Sequence, residues 1–408
     1  MFLRNCPLCY LAFACADEVV RHVHNEHQCL TDEEQVKIEV ARAVSDRLGP
    51  ANFAELLSVV DDAAISLLLP TSPGARMTSL DGYWLEHLAK SAYDRMAQEL
   101  HPAVLWKLVP RLGAALSVVE HGTKDRGLAL LVSNKRVAIF WLPFSPRARA
   151  SVGRAFAVRD LLDALQRFPP YRVLVIGGGR PRILEGWAGC LDEVQLFDQE
   201  APQSGVTEAD AFLAERVRRT TELPLVVVGP SRSLGIWRER SGHSSVLVGT
   251  VPSHDVDASA GVVASLAQPL ITVWREAVTT VETASLGHAD RAGLVKWGLD
   301  SAWSALTDGS AEHLWVRRDF ASAAVRRGTR WKLRPEAPQR VRGHNDDVVE
   351  ELLRAAWRAD ATVSFVETGV LPSEEPVGAQ LSSSRRHRDR ARGANVRIVD
   401  LRSQAQLA

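Results

Sequence analysis

The first thirty residues place two cysteines and two histidines at the spacing that a zinc ion requires. Cys6, Cys9, His22 and His27 follow the pattern C-x2-C-x12-H-x4-H. Two thiolates separated by two residues lie on one tight turn, and two imidazoles about one helical turn apart project from one side of a helix, so the four can surround Zn²⁺ as a tetrahedron. A segment this short cannot build its own core, and metal binding would supply its folding free energy. The spacing therefore predicts Zn²⁺ as a cofactor.

The apolar residues between these ligands agree with that prediction. Phe13 lies four residues after Cys9, and Val19 lies three residues before His22. The pattern resembles the two-Cys, two-His zinc finger family, in which an aromatic and an aliphatic core residue fall at those places. His24 is an alternative second histidine, but it lies too close to His22.

The finger is predicted to contact protein, or to be structural, rather than to read DNA. Fingers that read DNA usually occur in tandem and use three helix positions, which here are Cys15, Glu18 and Arg21. Only Arg21 suits a base edge, and residues 1–30 carry two basic against three acidic side chains. The phosphate attraction that dominates DNA affinity is therefore missing.

Two arginine-rich clusters near the C-terminus are the other candidate binding residues. The formal net charge is zero, yet residues 311–345 carry nine Lys/Arg against three Asp/Glu, and residues 383–402 carry seven against two. The first cluster flanks Trp331 and comprises Arg326, Arg327, Arg330, Lys332 and Arg334. The second comprises Arg385, Arg386, Arg388, Arg390 and Arg392. Arginine-rich loops beside an aromatic ring suit phosphate contacts and base stacking, and solvated surface charge is the alternative.

No motif predicts catalysis, and no catalytic or organic-cofactor-binding residue is assigned. Gly177–Gly179 follows a predicted strand, but the dinucleotide fingerprint would need glycine where Arg182 stands, so a hairpin turn is expected. The segment Gly229–Ser233 loosely resembles a nucleophile elbow. Its second glycine is replaced by serine, however, and Pro230 fits the tight turn poorly.

Composition and cysteine usage indicate a globular protein of the reducing cytoplasm. Apolar residues make up 46% and charged residues 24% of the 408 residues, which is ordinary for soluble domains. Four of the five cysteines lie in the first thirty residues, unlike the even spread of a disulfide framework. Residues 1–16 could imitate a secretory signal, but their apolar run is short and is broken by Pro7. No stretch is expected to span a membrane.

Alternating strand and helix patterns predict mixed α/β domains behind the finger. The predicted division is a finger at 1–30, a linker helix at 31–50, and three α/β domains at 51–168, 169–268 and 269–408. Strands are predicted at 64–69, 127–133, 136–142, 171–176, 182–185, 223–229, 313–316 and 361–367. Helices are predicted at 80–100, 207–221, 269–284, 289–307 and 346–359, and a short strand and a helix within 153–168.

The body of the chain resembles the bacterial and archaeal homologues of the class-one peptide chain release factor and Pelota. The segments that carry the resemblance follow the family order: Gly127–Ser133, Arg136–Phe144, Phe156–Leu165, Tyr171–Gly186, Ala302–Val316, Ala361–Glu367 and Pro376–Leu381, the last as a turn. The match covers about residues 52–382. The resemblance implies a three-domain factor that enters the ribosomal A site, with the ribosome, rRNA or tRNA, and an elongation-factor-type GTPase as partners.

One departure from the family decides the expected activity. Release factors of the family hydrolyse peptidyl-tRNA with a Gly-Gly-Gln loop, and this tripeptide is absent from the chain. The corresponding loop holds Gln203 and Gly205 without paired glycines, and the release glutamine needs a bend that only glycine permits. A ribosome-associated factor without hydrolase activity is therefore expected, acting in rescue, stalling response or hibernation. Two alternatives stay open: a zinc-finger adaptor on a release-factor-like scaffold, and a divergent peptidyl-tRNA hydrolase that uses Gln203.

Overall fold

The computed structural model describes the body of the chain and a few residues before it. The described residues are 4–5, 12–13, 39–40, 43, 48–74, 76–119, 125–177, 181–194, 210–211, 213–214, 216–217, 223–327, 330–333, 344–345, 347–372 and 374–382. Outside this set lie the Gln203 loop, Arg334, the second arginine cluster, and the predicted zinc ligands Cys6, Cys9, His22 and His27.

The chain divides into two compact units, Met1–Leu48 with Asn52–Ala164 and Gly49–Ala51 with Leu165–Ala408. The second unit encloses the ranges predicted for the middle and third domains. The three-domain division itself stays a prediction.

The first unit is built on a four-stranded antiparallel sheet. Two short strands, β1 (Arg4–Asn5) and β2 (Ala12–Phe13), pair separately. The sheet has the order β5-β4-β3-β6 and comprises β3 (Ala64–Pro70), β4 (Gly127–Ser133), β5 (Val137–Leu142) and β6 (Arg149–Gly153). The helices are α1 (Pro50–Ser58), α2 (Ser79–Glu99), α3 (Pro102–Val119) and α4 (Arg159–Arg167), whose last residues belong to the second unit.

Local sequence explains most of these elements. β4 is buried along its whole length, which suits its run of leucine, alanine and valine. Helix α2 begins with a capping box: the Asp81 N–H donates to Thr78 Oγ1 at 3.1 Å, and the Thr78 N–H donates to Asp81 Oδ2 at 3.1 Å. The predicted strands at 64–69, 127–133 and 136–142 and the helix at 80–100 are confirmed.

Helix α3 was not predicted from the sequence. It contains Pro102, Pro110 and Gly113, residue types that usually end or interrupt helices. Pro110 nevertheless lies inside the helix, since Leu108 and Leu112 pack into the core beside β4. Among the described residues, α3 is the one helix long and apolar enough to cross a membrane by length and composition. That finding corrects the expectation that no stretch qualifies, although a single such helix packed on a sheet is weak support for a membrane span.

The second unit contains a five-stranded sheet in the order β11-β10-β7-β8-β9. Its strands are β7 (Tyr171–Val175), β8 (Arg182–Trp187), β9 (Cys190–Glu193), β10 (Leu225–Gly229) and β11 (Leu247–Pro252). β10 runs parallel to β7 and β11, whereas β8 is antiparallel to β7 and β9. The predicted hairpin of β7 and β8 is confirmed. Helical residues lie between 210 and 217, α5 spans Ser231–Arg240, and a 3-10 turn spans Ser244–Val246.

Helix α6 spans Ala260–Arg291, so it begins before and ends after the helix predicted at 269–284. Pro269 is a typical first helical residue, which explains the prediction, but here it lies inside the helix. Val263 and Ala264 before it pack against the five-stranded sheet, and their burial offsets the cost of an internal proline, about 3 kcal/mol. The helix predicted at 289–307 is also wrong, because Gly293 adopts φ +68° and turns the chain into β12 (Val295–Trp297) before α7 (Leu299–Thr307) begins.

A four-stranded and a three-stranded sheet complete the second unit. The first has the order β12-β18-β13-β17 and adds β13 (Ala311–Arg317), β17 (Thr362–Val366) and β18 (Val377–Leu381) to β12. The second has the order β15-β14-β16 and comprises β14 (Ala324–Arg327), β15 (Arg330–Leu333) and β16 (His344–Asn345). Helix α8 spans Val348–Arg358.

Two contacts show how the four-stranded sheet is assembled. The segment expected to be a turn at its end is the inner strand β18, in which a Cβ added at Gly378 would lie 2.5 Å from Cζ3 of Trp297, so only glycine fits there. At the outer edge, Gln166 Nε2 donates to the Val363 carbonyl at 2.6 Å, and Gln166 Oε1 accepts from the Phe365 N–H at 2.9 Å. The amide of α4 thus binds β17 as a neighbouring strand would.

Candidate nucleic-acid interface

The first arginine cluster lies on a β-hairpin, where the sequence predicts a loop. β14 ends with Arg326 and Arg327, and β15 holds Arg330 and Lys332. We name the two strands β14 and β15 together the basic hairpin. Few of its residues are strong strand formers, so apolar alternation gave no signal for it. The pairing of the strands brings four of the five predicted cations of the cluster into one element.

The strand period separates the cations of β15 from its aromatic ring. Successive side chains of a strand point to opposite faces. Arg330 and Lys332 therefore share one face, and Trp331 takes the other. Along the backbone, position 327 pairs directly with position 330. Arg330 and Lys332 are both exposed.

Trp331 is fixed against helix α7. Its ring meets Trp303 edge to face, with 5.1 Å between centroids and 81° between planes, an arrangement that aromatic pairs favour. The Trp331 N–H donates to Asp300 Oδ1 at 2.7 Å. Trp303 is itself only 7% exposed, as expected for a core residue. The Trp303 ring thus contacts the face opposite the exposed cations, and the Asp300 carboxylate binds the backbone edge of β15.

Other arginines of the same unit are neutralised by carboxylates. Arg317 Nε donates to Asp319 Oδ1 at 2.7 Å, and this hydrogen bond holds the pKa of Asp319 below its ordinary value. Arg318 pairs with Glu367 at 2.8 Å. Within the described residues, Arg330 and Lys332 have no such ion pair. Their charge is therefore available to a polyanion.

A polar network lies between the four-stranded sheet and α6. His313 Nε2 lies 3.0 Å from Ser364 Oγ, and His313 Nδ1 lies 2.7 Å from Thr362 Oγ1. The imidazole stacks on Trp315 with 4.0 Å between centroids, and burial lowers the pKa of His313 to about 3, so the ring stays neutral. Burial also raises the pKa of Glu282 to about 7, although a hydrogen bond with Ser364 opposes the rise. No motif could indicate this group, since its members lie far apart in the sequence.

The five-stranded sheet contains a second charged group, which is structural. Arg172 is only 1% exposed, and its Nε donates to Glu185 Oε1 at 2.7 Å. Arg216 donates to both oxygens of the same carboxylate, at 2.9 and 2.6 Å. Burial favours a raised pKa for Glu185, but the two guanidinium groups outweigh it and hold the pKa below its ordinary value. A carboxylate that is permanently charged and paired suits support of the sheet and not proton transfer.

The remaining predicted features have little described geometry. Gly177 adopts φ +111° at the start of the expected turn. The residues after Gly229 run directly into α5, which has Pro230 at its N-cap. In the part of the chain that the structure describes, no group of three or more His, Cys, Asp or Glu could hold a metal ion. The four predicted zinc ligands lie outside that part.

Comparison with known proteins yields similar structures only. No family model matches the chain, and no curated protein matches it. An archaeal translation termination factor, aRF1, is 15% identical over 82% of this chain and 98% of its own, with a TM-score of 0.23. Pelota from Archaeoglobus fulgidus is 17% identical over 62% of this chain and 79% of its own, with a TM-score of 0.28. Dom34 from S. cerevisiae, a translation termination-like factor, is 9% identical over 66% and 75%, with a TM-score of 0.36. Sequence identities and TM-scores this low do not assign a function. Any functional proposal must therefore rest on the residues of this chain.

Proposed function

We propose that this protein is a ribosome-associated, RNA-binding translation factor of the release-factor and Pelota type, without peptide-release activity. The observation that carries the proposal is the basic hairpin. Its Arg330 and Lys332 are exposed, while Trp331 packs on Trp303 and donates its backbone N–H to Asp300. Lys and Arg side chains in such a row contact phosphates, and these contacts dominate affinity for nucleic acids.

The order of the family-like segments supports the same proposal. The segments expected near the end of the first domain fall on β4, β5 and α4, and those expected at the start of the middle domain fall on β7 and β8. Because the chain lacks Gly-Gly-Gln, the proposed role is rescue, stalling response or hibernation in the cytoplasm, beside an elongation-factor-type GTPase.

A sucrose gradient tests the proposal directly. Lysate of growing and starved cells that express the tagged full chain would be sedimented at low and at moderate salt. We expect the protein to co-migrate with ribosomes and to lose part of this association as salt rises, since phosphate contacts are screened. A protein that stays at the top of the gradient under all conditions would contradict a role on the ribosome.

Alanine variants localise the contact. The hairpin variant replaces Arg326, Arg327 and Arg330. A matched control removes the same charge from three exposed arginines elsewhere, Arg232, Arg240 and Arg358. We expect the hairpin variant to leave the ribosomal fractions at moderate salt and the control to remain in them. Equal behaviour of the two variants would show that overall charge, and not the hairpin, causes the association.

The proposed finger has a separate test. The chain would bind one Zn²⁺ through Cys6, Cys9, His22 and His27, and the finger would contact a protein partner. Elemental analysis of the purified full chain should give about one zinc per chain, and Cys6→Ser should lose it, because a structural site needs all four ligands. Equal zinc content in the two proteins would overturn this assignment.

A further inference from the structure

We infer that the basic hairpin binds the phosphates of double-helical RNA, and not the bases of single strands. The inference rests on the proposed function, which requires RNA binding but does not say which form of RNA is recognised. The choice follows from what the hairpin exposes and what it buries.

The aromatic ring of the hairpin, that of Trp331, already packs against another residue of the protein. Proteins that hold single-stranded RNA stack its bases on aromatic side chains or on guanidinium planes. Trp331 is the aromatic residue of the strands Ala324–Arg327 and Arg330–Leu333, and it packs on Trp303. Its backbone N–H is held by Asp300. The contact with α7 leaves the ring only partly exposed, with its Nε1 buried, so it is a poorer stacking platform than a fully exposed ring.

The cations form a row that suits a phosphate backbone. Arg330 and Lys332 are two residues apart on one strand, which separates them by about 6.5–7 Å. Position 327 lies opposite position 330, with about 4.5–5.5 Å between Cβ atoms in such pairs. Arginine can contact a phosphate through two N–H groups, and lysine acts as a point charge.

The hairpin also holds this row in place. One strand of it is tied to α7 through Trp331 and Asp300, so the backbone that carries the exposed cations needs little ordering before they bind. Double-stranded RNA is recognised through its shape, 2′-hydroxyls and phosphates, because its deep major groove hides the bases. A fixed row of cations without a free ring therefore fits an RNA helix.

Fluorescence anisotropy on the full chain tests the inference. The probes are an RNA duplex of about 16 base pairs and one of its strands alone, each titrated over a series of salt concentrations. We expect about tenfold tighter binding to the duplex at low salt, and the same affinity for a duplex of scrambled sequence. The double variant Arg330→Ala with Lys332→Ala should lower the slope of log K against log salt by about 2 for the duplex.

Two further variants separate phosphate contacts from stacking. Trp331→Leu keeps an apolar anchor but removes the indole, and its affinity for the duplex should stay within about twofold if the protein melts as the parent does. Arg240→Ala with Lys296→Ala removes the same charge from exposed positions outside the hairpin and should leave the salt slope unchanged.

The possible failures are distinguishable. If the full chain binds neither probe at any salt concentration, the proposed function fails, and this inference fails with it. If the single strand binds as tightly as the duplex, and Arg330→Ala with Lys332→Ala weakens both equally, RNA binding stands and the assignment to double-helical RNA is overturned.

Discussion

The two units of this protein expose rings and charges in opposite ways. On α2 of the first unit, Tyr83 is 60% and Trp84 46% exposed, and on α3 Trp106 is 84% exposed. On the basic hairpin of the second unit, Arg330 and Lys332 are exposed and the ring of Trp331 packs on Trp303, which is 7% exposed. A tryptophan near a surface is therefore not by itself a platform for bases, since the residues packed against it determine how much of its ring is exposed.

The helix period explains why the aromatic rings of α2 in the first unit are exposed. Leu80, Tyr83, Trp84 and His87 recur at the spacing of one helix face, and we name these four residues the aromatic face. The opposite stripe of α2, with Leu85 and Leu88 among its members, packs on the sheet. The rings of the aromatic face contact one another, with 5.6 Å between the Tyr83 and Trp84 centroids. Apolar periodicity predicts both stripes equally, and only the sheet decides which one is buried.

The largest expected effect contrasts two tryptophans. Trp303→Ala removes the ring that supports Trp331 and opens a cavity, so the free energy of unfolding should fall by about 3–5 kcal/mol. Trp106→Ala removes a ring that is 84% exposed and should change it by less than about 0.5 kcal/mol. Urea denaturation followed by circular dichroism measures both. Similar losses for the two variants would remove the distinction between the units.

The second expected effect is a pH dependence of the unfolding free energy that arises from Glu282 of the second unit. Its pKa is raised from 4.5 to about 7, so the folded state binds more protons than the unfolded state between these values. Stability from this group is therefore present at low pH and is lost as pH rises towards 7. Relative to Glu282→Gln, the parent protein should lose about 1–3 kcal/mol of unfolding free energy across this window.

The control for this series is Glu276→Gln, which removes an exposed carboxylate from the same helix, α6. Urea midpoints at several pH values give the comparison. If the Glu282→Gln and parent curves run parallel across the window, the carboxyl is not held in its protonated form by the fold.

A smaller effect is expected at the tie between α7 and the hairpin. Asp300→Ala leaves the Trp331 N–H without its acceptor and should cost about 1 kcal/mol, with faster amide exchange in β15. Asp300→Asn keeps an acceptor oxygen and should cost less. Asp94→Ala is the control in the first unit, where Asp94 forms an exposed pair with Lys90, and it should cost about 0.3–0.5 kcal/mol. Unchanged exchange in Asp300→Ala would show that the hairpin is held by its rings alone.

The smallest effect is expected on the aromatic face. Trp84→Ala should change the unfolding free energy by less than about 0.5 kcal/mol, because the ring is 46% exposed. It should also leave the affinity for the RNA duplex unchanged, since Lys90, the cation that follows this face along α2, already pairs with Asp94 at 2.8 Å. A clear loss of RNA affinity in this variant would move nucleic-acid recognition into the first unit and break the comparison.

Sequence reasoning predicted the regular parts of the fold well. Leucine- and valine-rich runs marked β3, β4, β5 and β10, and these strands lie where they were expected. The helices α3 and α6 were predicted least well, and each contains a proline, Pro110 or Pro269, whose local preference is outweighed by packing against a sheet. The turn that the family resemblance implied at 376–381 is a strand instead, in which the missing Cβ of Gly378 leaves room for Trp297.

The sequence predicted the cations of the candidate site but not the contacts that hold them. The cations of the basic hairpin could be identified by counting charges, because a cluster of Lys and Arg within a short segment is evident from the sequence alone. The strand pairing, the Trp303 support and the Asp300 hydrogen bond depend on residues up to 31 positions apart, and no local pattern encodes them. The network around His313 was missed for the same reason, since one of its contacts spans 51 positions.

The amide of Gln166 has a consequence for the solution behaviour of the protein. An uncovered outer strand offers free N–H and carbonyl groups on which a second molecule can add a strand, and repeated addition produces fibrils. Gln166 occupies two such groups of β17, those of Val363 and Phe365, so an incoming chain would have to displace it first. One neutral side chain thereby hinders strand addition at this edge, and we expect Gln166→Ala to associate with itself more readily than the parent protein.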